Sequence, residues 1–434
     1  MGQPKEDSPY KYRSVEKKVK TREDTIREVE RSMGARLTES TLSKEQREAF
    51  DTISHWYERD STAQQVLTLG GYAGTGKSTL VSVLAGKYAD ESVIFTSFTG
   101  KATSVLRSKL FEANVPGCHD VKTLHSLMYI PIVDKETGRV RGWRRREHLD
   151  HDLIIVDEAS MLDEQMFNDL KAYNIPILAV GDHGQLPPVF GTFNLMEKPQ
   201  LRLEKIHRQA EDSPILALAD FVRRVGQIPR FDNTMELQLI PQRHTEAVFD
   251  SLFQTPGLRQ SDVGLLCYSN RQRVEFNEQA RRARWKGRFS ESPIVGDQLI
   301  CLRNEDGTIF NGMRGELTRC VDSTVLHYDG AVLFEDDEVE VEGPICKAQF
   351  GLTRTIKDFD DYHHLTDFRV KSWGAVGLLF DYGYALTAHK AQGSQFEHVI
   401  VSASDVPNRL SLDEKRRWLY TAFTRASRYL CILQ

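Results

Sequence analysis

The chain has 434 residues, enough for two or more packed domains with sizeable cores. Its 57 Lys+Arg against 62 Asp+Glu leave a net charge of −5, so any nucleic-acid site must be a local basic surface and not a bulk positive coat. With 40% hydrophobic and 27% charged residues and no apolar run near the roughly 20 residues of a membrane span, it reads as a globular, non-membrane protein.

Residues 1–40 are dense in Lys, Arg and Glu and poor in large apolar side chains, which predicts a solvated helical extension, with the globular part beginning near Thr41. From there short apolar strands alternate with helices: strand 66–70, helix 77–89, strand 92–97, helix 101–113, strand 153–158, helix 161–173 and strand 176–182. Such alternation predicts a parallel sheet covered on both faces. At 127–146, MYIPIV and RVRGWRRR flank the turn-prone DKETG, the pattern of a small β-hairpin insertion. The alternation resumes with strand 263–268, helix 271–284, strand 398–404, helix 412–426 and a terminal YLCIL, which predicts a second α/β domain. Between its halves, 291–380 carries β-like runs (QLICLR, GELTRCV, STVLHY, AVLF) separated by NG, DG and acidic turns, and reads as a β-rich insertion. The expected organisation is an extension at 1–40, a first domain at 41–210 with its hairpin, and a second at 211–434 with its β insertion.

Six cysteines, at 118, 267, 301, 320, 346 and 431, form no CxxC pair, which excludes a zinc knuckle or thioredoxin-like site and fits reduced thiols in a cytoplasmic compartment, a host cytoplasm if the chain is viral. The start, MGQPKEDSPYKYR, has no apolar stretch of the export type.

Gly71, Tyr72, Ala73, Gly74, Thr75, Gly76, Lys77 and Ser78 spell G-x-x-x-x-G-K-[ST] between a predicted strand and a predicted helix. The chemistry needs that order: glycines let the loop wrap closely, backbone N–H groups and the helix N-terminus face phosphates, Lys77 supplies a cation to the β/γ oxygens, and Ser78 can hold Mg²⁺. Eighty residues on, LIIV delivers Asp157 and Glu158 at the carboxyl end of a strand, where a doubly wound sheet places its ligands. Asp157 suits the Mg²⁺ shell, and Glu158 suits a base that orients and deprotonates water attacking a γ-phosphate. A third strand, ILAV, ends in Gly181, Asp182, His183, Gly184, Gln185, Leu186, Pro187 and Pro188. The Gln185 amide at its tip can report a γ-phosphate, or the segment is a polar loop closed by two prolines.

With these motifs in this order, the sequence resembles the superfamily 1 helicases. Leu42 to Gln46 looks like the adenine-reading Q motif with Gln46 in the reading position; Phe98 to Ala102 resembles motif Ia, Thr123 to His125 motif Ib, Asp157 to Ser160 motif II, Gly181 to Pro188 motif III and Leu203 to Gln209 motif IV. Leu386 to Ser394 resembles motif V, and Tyr420 to Ala426 motif VI. QLPP and HKAQGSQF are more similar to the RecD/Dda-like branch, superfamily 1B, than to the UvrD/Rep-like one, although Phe98 stands where that branch often has proline.

The resemblance implies an α/β fold of two RecA-like parallel-sheet domains, with the β-rich insertion SH3-like. It implies ATP and Mg²⁺ as cofactors, nucleotide contacts from Gln46, from the loop Gly71 through Thr79 and from Gly393, and two arginines, Arg208 and Arg425, reaching the γ-phosphate. It implies 5′→3′ translocation on single-stranded DNA, with fork or tailed duplex as substrate, replication or recombination proteins as partners, and a monomer as the working unit. Phe98, Thr99, Lys101, Thr123, His125, Pro187, Thr387 and His389 lie in motifs whose family role is contact with the strand. Arg139, Arg141, Arg144, Arg145 and Arg146 surround Trp143 in the hairpin, which is a strand-separating pin or a solvated basic turn. Arg271, Arg273, Arg281, Arg282 and Arg284 read as a charged outer helix face that could add phosphate contacts, and the acidic run from Glu335 to Glu342 as solvent-facing. The leading function is an ATP-dependent DNA helicase; the alternatives are a translocase that strips proteins or remodels forks with little unwinding, and an ATP-gated nucleic-acid-binding loader or scaffold.

Overall fold

The computed structural model describes residues 11–14, 37–98, 100–113, 121–133, 140–188, 193–206, 213–305, 309–334 and 339–434. Two parallel sheets, a six-stranded antiparallel sheet and a two-stranded antiparallel hairpin make up the sheets of the described residues. The first sheet has the order Val121–Thr123, Val93–Ser97, Leu153–Asp157, Ile177–Gly181, Val66–Gly71 and Leu201–Leu203, every neighbouring pair parallel. Its central strands are buried along their length, which is why they read as continuous apolar runs without alternation. Leu67, Leu69, Phe95, Leu153, Ile155, Leu178 and Val180 share one core with the helices Lys44–His55, Lys77–Lys87 and Gly100–Glu112. Their neighbours Ile94, Ile154, Val156, Ile177 and Ala179 point the other way, into a core with Leu124, Leu127, Met128 and Leu170. This packing aligns the carboxyl ends at Gly71, Asp157 and Gly181 on one edge, where a doubly wound sheet binds ligands.

The second parallel sheet runs Leu237–Ile240, Ala426–Leu433, Phe396–Ser402, Val263–Cys267 and Ala385–Thr387. The helices Pro214–Val225 and Leu412–Phe423 cover one face, and Thr245–Phe253 and Asn270–Trp285 the other. The last of the predicted helices stops at Phe423 and not at 426: the Thr424 hydroxyl donates to the Tyr420 and Thr421 carbonyls, and strand pairing begins at Ala426.

The β-rich insertion is an antiparallel sheet ordered Lys11–Ser14, Val339–Cys346, His327–Phe334, Arg314–Asp322, Gln298–Cys301 and Phe380–Tyr382. Two expectations change here. Lys11–Ser14, read as part of a helical extension, is a strand that completes this sheet along Val339–Glu342, because an open sheet edge offers unpaired backbone groups to any extended segment. The acidic run is not simply solvent-facing: Glu340 accepts from Thr318 Oγ1 at 2.7 Å and Glu342 lies 3.8 Å from Arg319; residues 335–338 fall outside the described set.

The helix Asn270–Trp285 is likewise not a charged outer face alone. Arg273 and Arg281 are buried in ion pairs with Asp381 (2.7 Å) and Asp297 (3.0 Å), while Arg271 and Arg282 pair with Glu275 and Glu278 one turn away. The hairpin is present as Tyr129–Val133 against Val140–Arg145, with its turn outside the described residues. Among the described residues no helix is long and apolar enough to cross a membrane.

Candidate active site

The strand Val66–Gly71 feeds a loop that turns into the helix Lys77–Lys87, with Gly74 and Gly76 at φ of 80° and 76°, the left-handed region that favours glycine. A Cβ at Gly71 would lie 2.7 Å from Thr75 Oγ1, so the loop closes only around glycine there. Lys77 Nζ curls back to donate to the Gly71 and Tyr72 carbonyls at 2.7 and 3.0 Å. Gln46 is buried against this loop: its Oε1 takes the Ser43 N–H in a capping box, and its Nε2 donates to Gly76 O at 3.1 Å and Thr75 O at 3.3 Å. Its amide thus ties the first helix to the phosphate loop, whereas the sequence suggested a base-reading group.

Ser78, beside the loop, and Asp157, at the tip of Leu153–Asp157, are hard oxygen donors of the kind Mg²⁺ prefers. The fit is reasonable for an ion that usually takes one or two protein ligands plus phosphate oxygens, and among the described residues no cluster of three or more His, Cys, Asp or Glu offers an all-protein cage. Lys109 Nζ approaches Ser78 Oγ at 3.3 Å, and Asp157 Oδ1 holds the Glu158 N–H at 2.9 Å.

Glu158 follows at φ 53°, a left-handed conformation unusual for glutamate. It keeps some surface exposure, yet desolvation there pushes its carboxyl above the usual carboxylate range; Arg425 pulls it down, Asp157 pushes it up, and Lys77 and Asp182 act more weakly. Arg425, from the second domain, is buried and donates to Thr421 O, Ser394 O and Thr424 Oγ1. The Glu158 carboxyl of the first domain thus lies within the field of the second-domain Arg425 guanidinium. Gly393, at φ 72°, shapes the turn just before Ser394.

Beyond Ile177–Gly181, the loop Asp182–Leu186 is held by the second domain through five hydrogen bonds. Tyr420 Oη donates to Asp182 (2.6 Å), Arg417 to the carbonyls of His183 and Gln185 (3.1 and 3.2 Å), Gln392 to Leu186 O (2.8 Å), and Thr421 Oγ1 accepts from Leu186 N (2.9 Å). Gln185 is buried with Nε2 toward Asp182 at 3.4 Å and Oε1 without a protein partner, as suits an acceptor aimed at a reacting water. Tyr72 packs between His183 (centroids 4.2 Å apart) and the Arg223 guanidinium (3.7 Å from the ring). The sequence alone gives no individual role to Asp182, Tyr72, Tyr420, Thr421, Gln392 or Arg417, although all but Arg417 stand inside the motifs quoted above.

The strand residues divide between the domains. Phe98 follows the strand end at Ser97, whose register partners are Thr123 and Asp157. Thr123 is buried and caps the short helix Leu124–Met128 through Ser126, so its hydroxyl is already engaged. His125 meets the exposed Trp143 edge-on at 4.4 Å and Tyr129 at 4.9 Å, and burial lowers its pKa. On the other side, Pro187 and His389 line a cavity of about 480 Å³ with Tyr268, Arg417 and Trp418, and burial lowers the His389 pKa. Thr387 is buried and its Oγ1 accepts from Lys390 N at 3.4 Å. Thr99, Arg139 and Arg208, and the side chains of Lys101 and Arg141, lie outside the described residues.

A phosphate loop with an acid pair, faced across a cleft by a second parallel-sheet domain, defines a two-domain P-loop protein. Residues 41–237 match the AAA domain family, and residues 382–433 match the UvrD-like helicase C-terminal domain. The chain is 27% identical over 415 residues to the ATP-dependent RecD2 DNA helicase of Deinococcus radiodurans, covering 89% of this chain and 48% of that one. It is 27% identical over 306 residues to the ATP-dependent DNA helicase PIF1 of Saccharomyces cerevisiae, covering 58% of this chain and 33% of that one. In structure it is similar to a Bacteroides Pif1 helicase in complex with ADP-AlF3 and single-stranded DNA, with a TM-score of 0.50 at 18% identity over 90% of this chain and 92% of that one. Across most of its length the chain is thus similar to RecD/Pif1-like helicases of superfamily 1B. It spans about half the length of RecD2 and a third of that PIF1.

Proposed function

We propose that the protein is an ATP-dependent DNA helicase that moves 5′→3′ along single-stranded DNA and unwinds duplex by closure and opening of its two parallel-sheet domains. The observation that carries this reading is Arg425: a buried second-domain cation whose field reaches the Glu158 carboxyl of the first, beside Lys77. A hydrolytic set divided in this way is complete only when the domains meet, which links phosphate chemistry to motion.

In the proposed reaction Lys77 exchanges its loop carbonyls for the β/γ oxygens, and Ser78 and Asp157 would hold Mg²⁺, whose charge offsets that of the phosphates. Glu158 takes the proton of the attacking water, and its raised pKa brings it nearer the operating pH as a base. Gln185 Oε1 orients that water, and Arg425 with Arg208 stabilises charge as the terminal phosphate departs. Phe98, Thr99, Lys101, Thr123, His125 and Trp143 in the first domain, and Thr387 and His389 in the second, form two grips on one strand, with Pro187 beside the second. The branch resemblance carries the 5′→3′ direction, and an SH3-like form of the β insertion rests on it too. Relatives described as ATP-dependent DNA helicases support the substrate.

The test is ATP-driven unwinding of a duplex bearing either a 5′ or a 3′ single-stranded tail, with Lys77→Ala as control. Unwinding of the 5′-tailed substrate alone, lost in Lys77→Ala, is the expected result. Unwinding from the 3′ tail alone overturns the direction, and DNA-stimulated ATP hydrolysis without strand separation replaces unwinding with translocation.

A further inference from the structure

The Tyr420 hydroxyl stands where three parts of the molecule meet. It accepts the Ala73 N–H of the phosphate loop at 2.7 Å and donates to Asp182 Oδ2 at 2.6 Å, while its own helix belongs to the second domain. Tyr420 is 2% exposed and Asp182 1%, and burial holds the phenol far above its ordinary pKa, so it keeps the proton it donates. Asp182 in turn takes the Gly184 N–H at 2.9 Å and faces Gln185 Nε2 at 3.4 Å. Through that one carboxylate, Tyr420 is joined to the amide whose buried Oε1 has no protein partner.

We propose that Tyr420 is a positioning residue with two linked tasks: it competes with nucleotide phosphate for the Ala73 N–H, and through Asp182 it aims Gln185. Backbone donors of a phosphate loop serve the phosphates, and Ala73 N–H cannot give its best geometry to the phenol and to a phosphate oxygen together. Nucleotide entry therefore shifts Tyr420 off the loop, and this shift is felt in the helix Leu412–Phe423, which ends two residues before Arg425. This inference rests on the ATP-hydrolysing reading above.

Tyr420→Phe keeps the ring and removes only the hydroxyl. With the competitor gone, the affinity for a non-hydrolysable MgATP analogue rises by about 3- to 10-fold, the equivalent of one ordinary hydrogen bond. With Gln185 less firmly held, kcat for single-strand-stimulated hydrolysis falls by about 10-fold or more, so KM and kcat fall together. A purely structural loss would weaken binding instead. Asp182→Asn, which preserves volume and removes the carboxylate that takes the Tyr420 proton, provides the second variant; it lowers kcat in the same way. Melting curves confirm that both variants are folded. A parent enzyme that turns over ATP, paired with a Tyr420→Phe protein whose analogue affinity and kcat lie within twofold of it, overturns the latch alone. Weaker analogue binding by folded Tyr420→Phe also overturns it. A parent that binds no analogue overturns the latch and the ATP reading together.

Discussion

Thr421→Val tests the docking of the Asp182–Leu186 loop on the second domain with a nearly isosteric change. Thr421 is fully buried and Leu186 is 6% exposed, and the Thr421 hydroxyl accepts the Leu186 N–H at 2.9 Å. In the variant that N–H stays buried without an acceptor for as long as the domains remain docked, at a cost of about 1–3 kcal/mol. Undocking returns the amide to water, so the cost falls on the docked arrangement only. At 1.4 kcal/mol per factor of ten, the docked population is disfavoured by about 5- to 150-fold. The Gln392, Arg417 and Tyr420 bonds remain, which places the expected effect toward the lower end. Amide hydrogen exchange reads this directly, because the Leu186 proton exchanges only from the undocked form. Its exchange should quicken by that factor while strands such as Ile177–Gly181 keep their protection. A change of less than twofold at Leu186 would show that the contact holds nothing together and would refute the argument.

Arg425→Ala should lower kcat for ATP hydrolysis by about 10³- to 10⁵-fold, as loss of a transition-state arginine does. It should also move the acid limb of the pH–rate profile upward: Arg425 holds the Glu158 pKa down, the base must be ionised, and its removal lets the pKa rise. An acid limb that stays put or moves down refutes the facing pair. Arg281→Met should cost about 3–5 kcal/mol in urea unfolding, since it strands the fully buried Asp297 with only Trp285, Ile294 N–H and Tyr384 as donors; a loss below about 1 kcal/mol would mean that these neutral donors suffice. Trp143→Ala should weaken single-strand binding by about 5- to 100-fold if a base stacks there, and an unchanged Kd would leave the hairpin a solvated turn.

What the chain spells locally was legible, and what it assembles over distance was not. Gly71 to Ser78 carry their chemistry within eight residues, and LIIVDE and ILAVGD announce both strand and site because buried parallel strands are continuously apolar. The partners of that site were hidden for a physical reason. Tyr420 reaches Asp182 across 238 positions and Gln392 reaches Leu186 across 206, by ordinary side chains whose bonding is decided by tertiary contact. Gln46, read from the resemblance as a base-reading group, spends its amide here on the helix cap and the loop carbonyls, which only the folded contact reveals. Arg273 and Arg281 looked like part of a solvated face because their carboxylates, Asp381 and Asp297, lie on and at the edge of the inserted sheet. Lys11–Ser14 pairs through backbone groups, which composition does not reveal.

The distribution of apolar and polar contact also decides which parts can move. The inserted sheet shares one core with the second domain: Leu299, Leu317, Val341 and Phe380 pack with Phe249, Leu265, Phe276 and Ile400. Arg273 and Arg281 add two buried ion pairs across the same boundary. Separating these parts would expose apolar surface at about 25 cal/mol per Å² and strand buried charge, so they move as one body. The join between the first and second domains is smaller: Leu186 enters the second-domain core with Tyr72 and Ala73 against it, and around it lie the five hydrogen bonds to Asp182–Leu186 and the Tyr420–Ala73 contact. Water can replace those hydrogen bonds at small net cost, whereas it cannot replace a core. A relative motion of the two domains would fall on that join and on the insertion's Phe310 and Met313, whose side chains lie against Gly100 at the head of the first-domain helix Gly100–Glu112.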